Sequence, residues 1–189
     1  MKRREALATA GLLIGGSIIG ADSLFTSCKS RERKSIFGIL DKKEMSIVEE
    51  LAETILPKTS TSPGAKDVKV AEYINIILTD CLSEEHQRVV KEGIINLDQL
   101  AAEQFDDDFV DLDLAQKEEL LLRLEEVSAN HHKAKTSTNP PHYYTILKQL
   151  AIRGYKTSEL VGTTVLRHVP IPGRYEGCIP SEEGEKAMI

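Results

Sequence analysis

Tryptophan is absent, and aromatic residues make up only 5% of the 189 positions. That argues against a nucleic-acid platform built from stacked rings. Positive charge is also scarce: 24 Lys and Arg face 30 Asp and Glu, a formal net charge of −6, the wrong sign for binding phosphate backbones. Nucleic acid is therefore not an expected partner. Cofactor signatures are missing too. No GxGxxG or GxxxxGK[ST] occurs, so neither a dinucleotide fold nor a P-loop is indicated. There is no CxxCH for haem attachment and no nucleophile elbow. No alternating apolar–polar run exceeds about five residues, which leaves little for a half-buried strand.

What is present begins with an export-type leader. Met1-Lys2-Arg3-Arg4 is basic, and Ala6 to Ala21 is apolar but diluted by Gly11, Gly15, Gly16 and Gly20. At about 16 residues it is short for a bilayer span, and its flanks fit a secretory signal. The paired Arg3 and Arg4 ahead of a weakly apolar stretch resemble a twin-arginine signal, which carries folded cargo. An ordinary secretory signal with arginines in its basic region is the alternative. The leader ends in Leu24-Phe25-Thr26-Ser27-Cys28, loosely like a lipoprotein processing site, so Cys28 is a candidate for lipidation; a spare cysteine is the other reading. The expected localisation is the cell envelope, on the periplasmic side.

Cys28 aside, two of the three cysteines remain, Cys81 and Cys178. In an oxidising compartment two leftover cysteines are expected to pair, closing a loop that the chain-entropy model values at roughly 4–5 kcal/mol. Two separate buried thiols are the alternative. No neighbouring Cys/His spacing points to a metal site.

The body reads as one helix after another. Ile47, Val48, Leu51, Ala52, Ile55 and Leu56 follow helical spacing until Pro57 stops the ladder. Thr59 to Gly64 is a loop, after which Asp67 is a candidate cap for a second helix ending near Cys81. Ser83 opens a third. Asp113-x-x-Gln116 is a capping box before a fourth, along Leu114, Leu120, Leu121 and Leu124. A fifth runs from Tyr143 to Gly154, a candidate C-cap. The expected fold is all-α, an irregular bundle of about five helices. The expected division is a signal segment (1–28), a linker (29–42) and a helical domain (43–189) with an extended tail from about 163.

That tail holds Val169, Pro170, Ile171, Pro172, Gly173, Arg174 and Tyr175. Its prolines favour extended backbone, and it has too few apolar residues for a core of its own. It must lie on this domain, on a partner, or on both, and is expected to be partner-binding, with Tyr and Arg of the types enriched in interface hot spots. Arg174 as an anion ligand is the less favoured reading. The acidic run Asp106-Asp107-Asp108 with Asp111 and Asp113 lacks the glycine of an EF-hand loop and reads as a solvated loop. His131, His132 and His142 flank a polar, proline-containing segment and read as surface residues rather than metal ligands. No cofactor or metal is expected on this chain.

Several pieces together resemble one family. Gly154-Tyr155-Lys156-Thr157-Ser158-Glu159 and Val169-Pro170-Ile171-Pro172-Gly173-Arg174-Tyr175-Glu176-Gly177-Cys178 resemble the C-terminal signature of the gluconate 2-dehydrogenase subunit 3 family. Thr54 to Pro57, Pro63-Gly64-Ala65, Asp80-Cys81 and Gly93 with Leu97-Asp98 also match it. The resemblance implies a small, non-catalytic gamma subunit of a membrane-associated sugar or sugar-acid dehydrogenase. It implies a large glucose-methanol-choline-type flavoprotein partner that holds FAD and the substrate, and a c-type cytochrome as a further component. On this reading the chain aids the partner's maturation and supplies the export signal for both. A stand-alone helical envelope lipoprotein, acting as scaffold or binding module, is the alternative.

Overall fold

The computed structural model describes residues 38–133, 140–171, 173–174, 178, 180 and 183–188. They form six helices: α1 (Lys42–Ile55), α2 (Val70–Asp80), α3 (Glu84–Phe105), α4 (Leu114–Lys133), α5 (Tyr143–Thr157) and α6 (Glu159–Thr164). Among the described residues the only β pairing is an isolated parallel bridge between Arg167 and Met188. The fold is all-α, as expected, with one short helix more than the periodicity predicts. Six residues are too few to show a periodic apolar face.

Helix α5 is the axis of the bundle and packs against all five others. Its sequence explains this. Tyr143, Tyr144, Ile146, Leu147, Leu150, Ala151 and Gly154 are all buried, more than one face of a surface helix carries. Around it lie Ile47, Val48 and Leu51 of α1, Ile74 and Leu78 of α2, Val90, Ile94 and Leu97 of α3, and Leu120, Leu121 and Leu124 of α4. Phe109, between α3 and α4, is fully buried beside them.

The helix starts follow local side-chain chemistry. Ser83 caps α3 by accepting from the His86 amide. Asp113 and Gln116 form the expected reciprocal box, the Gln116 amide donating to Asp113 Oδ1 at 2.8 Å and the Asp113 amide to Gln116 Oε1 at 3.0 Å. A second box, Asp41 with Glu44, starts α1 four residues earlier than the apolar spacing from Ser46 predicts. Asp67 does not cap α2. Its carboxylate instead accepts from the Gly64 amide at 3.1 Å and pairs with Lys58, and α2 starts at Val70 behind Lys69, held left-handed at φ 55°. Gly154 does not end α5 either; the helix runs on to Thr157.

Two buried charges tie α1 to its neighbours. Lys117 of α4 is buried; its Nζ donates to Glu50 Oε2 at 3.0 Å and to the Val110 carbonyl at 2.8 Å. Burial pushes Glu50 up, but hydrogen bonds from Lys66 and Lys117 outweigh it and hold the carboxyl below the ordinary glutamate range. Glu44, also buried, pairs with Lys91 of α3 at 3.5 Å.

Candidate functional site

Most residues that give the sequence its recognisable motifs are used up inside the bundle. A Cβ on Gly64 would stand 2.3 Å from a Glu53 carboxylate oxygen. That carboxylate accepts from the Lys58 and Lys66 amides and so organises the loop between α1 and α2. The Tyr155 hydroxyl donates to the Pro63 carbonyl at 2.8 Å, pinning the same loop to α5. A Cβ on Gly154 would sit 2.5 Å from Tyr73 Cδ1, so this glycine is the close approach of α5 to α2. Asp98 accepts from the Phe109 amide at 3.0 Å and pairs with Lys43 at 2.7 Å, closing the α3–α4 loop over the core.

The segment after α5 is different. Ser158 joins α5 to α6: its hydroxyl donates to the Tyr155 carbonyl at 2.7 Å and accepts from the Val161 amide at 3.4 Å. Val161 is the residue that roots α6 in the bundle, at 1% exposure, while Leu160 on the same helix is 44% exposed. Beyond α6 the chain is caught by its own end. The Arg167 amide donates to the Ala187 carbonyl at 2.9 Å, Arg167 pairs with Glu185 at 3.2 Å, and Lys186 Nζ donates to the Thr164 carbonyl at 2.6 Å. Both Arg167 and Lys186 are thereby tied beside α6. Ile171, between them in the chain, is 84% exposed.

Three clefts surround α6. One of about 400 Å³ lies between Lys156, Glu159, Thr163 and His168. A second of about 520 Å³ lies between Leu166, Arg167, Pro170 and Lys186. A third, about 420 Å³, reaches across Leu160 to Asp67, Val68 and Lys69. Thr163 lines all three.

Of the expected partner-binding residues, Val169 is half-buried and Pro170, Ile171, Gly173 and Arg174 are exposed. Gly173 takes φ +75° with open space around it, the conformation that glycine allows. Pro172 and Tyr175 lie outside the described residues, as do Arg3, Arg4 and Cys28. Cys81 and Cys178 are both free and exposed. The expected bond between them is not formed here: Cys81 closes α2, while the end of the chain is tied to Thr164 and Arg167 beside α6.

The acidic loop is spent on structure: Asp106 ends α3, Asp107 accepts from the Asp108 amide, and Asp108 pairs with Lys43. Among the described residues no group of three or more His, Cys, Asp or Glu is placed to hold a metal ion. No described helix is long and apolar enough to cross a membrane.

The family model for gluconate 2-dehydrogenase subunit 3 matches residues 42–173, from the first residue of α1 to the left-handed glycine after α6. The chain belongs to the gluconate 2-dehydrogenase subunit 3 family. Neither a curated protein nor a solved structure matches it. The subunit 3 match takes in Ser158, all of α6 and Ile171. It stops short of Arg174, Tyr175 and Cys178. As a subunit family, it implies that this chain works within a larger dehydrogenase assembly. Sequence reasoning missed α6 as a helix; the one local signal for it was Ser158-Glu159, a cap followed by a first-turn acid.

Proposed function

We propose that this chain is the non-catalytic small subunit of a membrane-associated, flavin-dependent sugar or sugar-acid dehydrogenase. It docks on a large flavoprotein subunit that holds FAD and the substrate, and the docking surface is α6 with the sequence segment from Val169 to Tyr175. The observation that carries this is the exposure of Ile171, at 84%, inside the family match and next in the chain to Pro170, which lines one of the clefts. A β-branched residue this exposed has no role in this chain's own core. It is the kind of side chain that fills a partner's pocket.

On this reading the leader with Arg3 and Arg4 exports both chains. A flavoprotein loaded with FAD in the cytoplasm must cross the membrane folded, and it rides on the signal of the subunit bound to it. Lipidation at Cys28 would hold the assembly at the envelope membrane, where a c-type cytochrome is the expected electron acceptor.

The test is a pull-down of the flavoprotein with Ile171→Asp, read beside a dye-linked dehydrogenase assay. Loss of capture of about tenfold or more is expected, with an unfolding midpoint within about 0.5 kcal/mol of the parent, as for a surface substitution. Undiminished capture places the interface elsewhere. Dye reduction by the purified small subunit alone would overturn the non-catalytic assignment.

A further inference from the structure

The corner between α4 and α5 has an unusual cap. His142 is the residue before α5, with extended backbone at φ −61° and ψ 139°. Its Nδ1 accepts from the Tyr144 amide at 3.3 Å. Serine, asparagine and aspartate offer such an acceptor across the ordinary pH range; an imidazole offers it only while neutral, with its proton on Nε2. Facing it is His131, in the last turn of α4, with ring centroids 5.8 Å apart. His131 Nε2 lies 3.1 Å from the Pro140 carbonyl oxygen. A carbonyl only accepts, so Nε2 is the protonated nitrogen of that ring. The Tyr144 amide thus requires a bare Nδ1 and a neutral ring at His142, while His131 carries a proton on Nε2 towards the Pro140 carbonyl.

The corner also bears on the core. The His142 ring stacks 4.5 Å from that of Tyr143. Tyr143 is buried against Gly93 of α3, and its hydroxyl has no hydrogen-bond partner.

We propose that His131 and His142 form an acid-operated latch: taking up a proton at His142 Nδ1 uncaps α5 and loosens the α4–α5 corner. One solvent proton binds the lone pair that now receives the Tyr144 amide. The two groups become opposed donors, so that bond breaks. The new charge sits at the positive end of the α5 dipole and opposite His131. Among the described residues, none of the groups around the site offsets it. Helix α4 contributes His131, His132 and Lys133 in its last turn, α5 contributes Tyr143 and Tyr144, and α3 faces the corner through Gly93, which has no side chain. Glu125 of α4 is engaged by Lys148 of α5. Burial first, and the His131 charge second, hold His142 below the ordinary histidine value. With its folded value depressed, the contribution of His142 to stability is complete above pH about 6.5 and fades as pH falls through the folded value. Because α5 touches every other helix, fraying at its first turn reaches the bundle axis.

The experiment is an NMR titration of the full chain from pH 7.5 to 5, following the His142 ring and the protection factors of the first-turn amides of α5. His142 is expected to titrate below about 6.5. Protection in that turn is expected to fall about five- to tenfold across its titration, the loss that matches one helix cap. His142→Asn, which caps without titrating, is expected to keep its protection flat. His131→Gln, which can still donate to Pro140, is expected to move the His142 midpoint upward. A His142 midpoint at or above the ordinary value, or an equal loss of protection in His142→Asn, overturns the latch. The titration of the unsubstituted chain decides the first point even if a variant fails to fold.

Discussion

Tyr143 of α5 lies directly over Gly93 of α3: a Cβ added to Gly93 would stand 2.0 Å from Tyr143 Cγ. The two helices approach through a missing side chain, and the ring that fills the gap is backbone-near, not the far end of a flexible chain. Gly93→Ala is therefore expected to cost about 1–3 kcal/mol, the usual penalty for overpacking, despite alanine's better helix propensity of about 1 kcal/mol. Urea unfolding monitored by circular dichroism measures it. A gain in stability would mean that α3 and α5 can part without cost.

The Glu50–Lys117 pair makes an asymmetric prediction. Glu50→Gln leaves the buried Lys117 without its counter-charge, facing only neutral acceptors, and is expected to destabilise by about 2 kcal/mol, below the full buried-pair penalty because Glu50 keeps some access to water. Glu50→Gln combined with Lys117→Met is expected to recover most of that loss. The folded value of Glu50 is depressed, so its contribution is present above the ordinary glutamate value. It fades as pH falls below that ordinary value and through the folded one. Unfolding free energies from pH 7 to pH 3 should show that loss in the parent chain and not in the double variant.

Ser158 supports two helices with one hydroxyl, closing α5 at the Tyr155 carbonyl and opening α6 at the Val161 amide. Ser158→Ala is expected to lower stability by about 1 kcal/mol. Since α6 is only six residues long and carries the proposed docking face, flavoprotein capture should fall as well, while Ser158→Asp restores the α6 cap and most of the capture. Capture unaffected by Ser158→Ala would detach α6 from the interface.

The residues themselves determined wherever a bond spans about one helical turn. Ser83 and the Asp113–Gln116 box start their helices as the sequence predicts, because a short side chain reaches an amide three residues away without any tertiary help. The Asp41–Glu44 box was equally local and is visible as Asp-x-x-Glu; apolar spacing alone set the predicted start too late. The apolar periodicity of α1, α3, α4 and α5 likewise determined an all-α bundle, and the family signature was readable over nearly all of the helical body.

Only tertiary structure decided what competes with a local choice. Asp67 has the chemistry of a cap, yet the Gly64 amide and Lys58 hold its carboxylate. Gly154 has the chemistry of a helix end, yet Tyr73 needs the space and α5 continues past it. The same holds for the candidate site. Its residue types were legible in the tail, but the closure of that tail beside α6 depends on Arg167 meeting Ala187 and Glu185. A contact between positions so distant in the chain leaves no periodic trace, because its energy comes from what the folded backbone brings together and not from the neighbours of either residue.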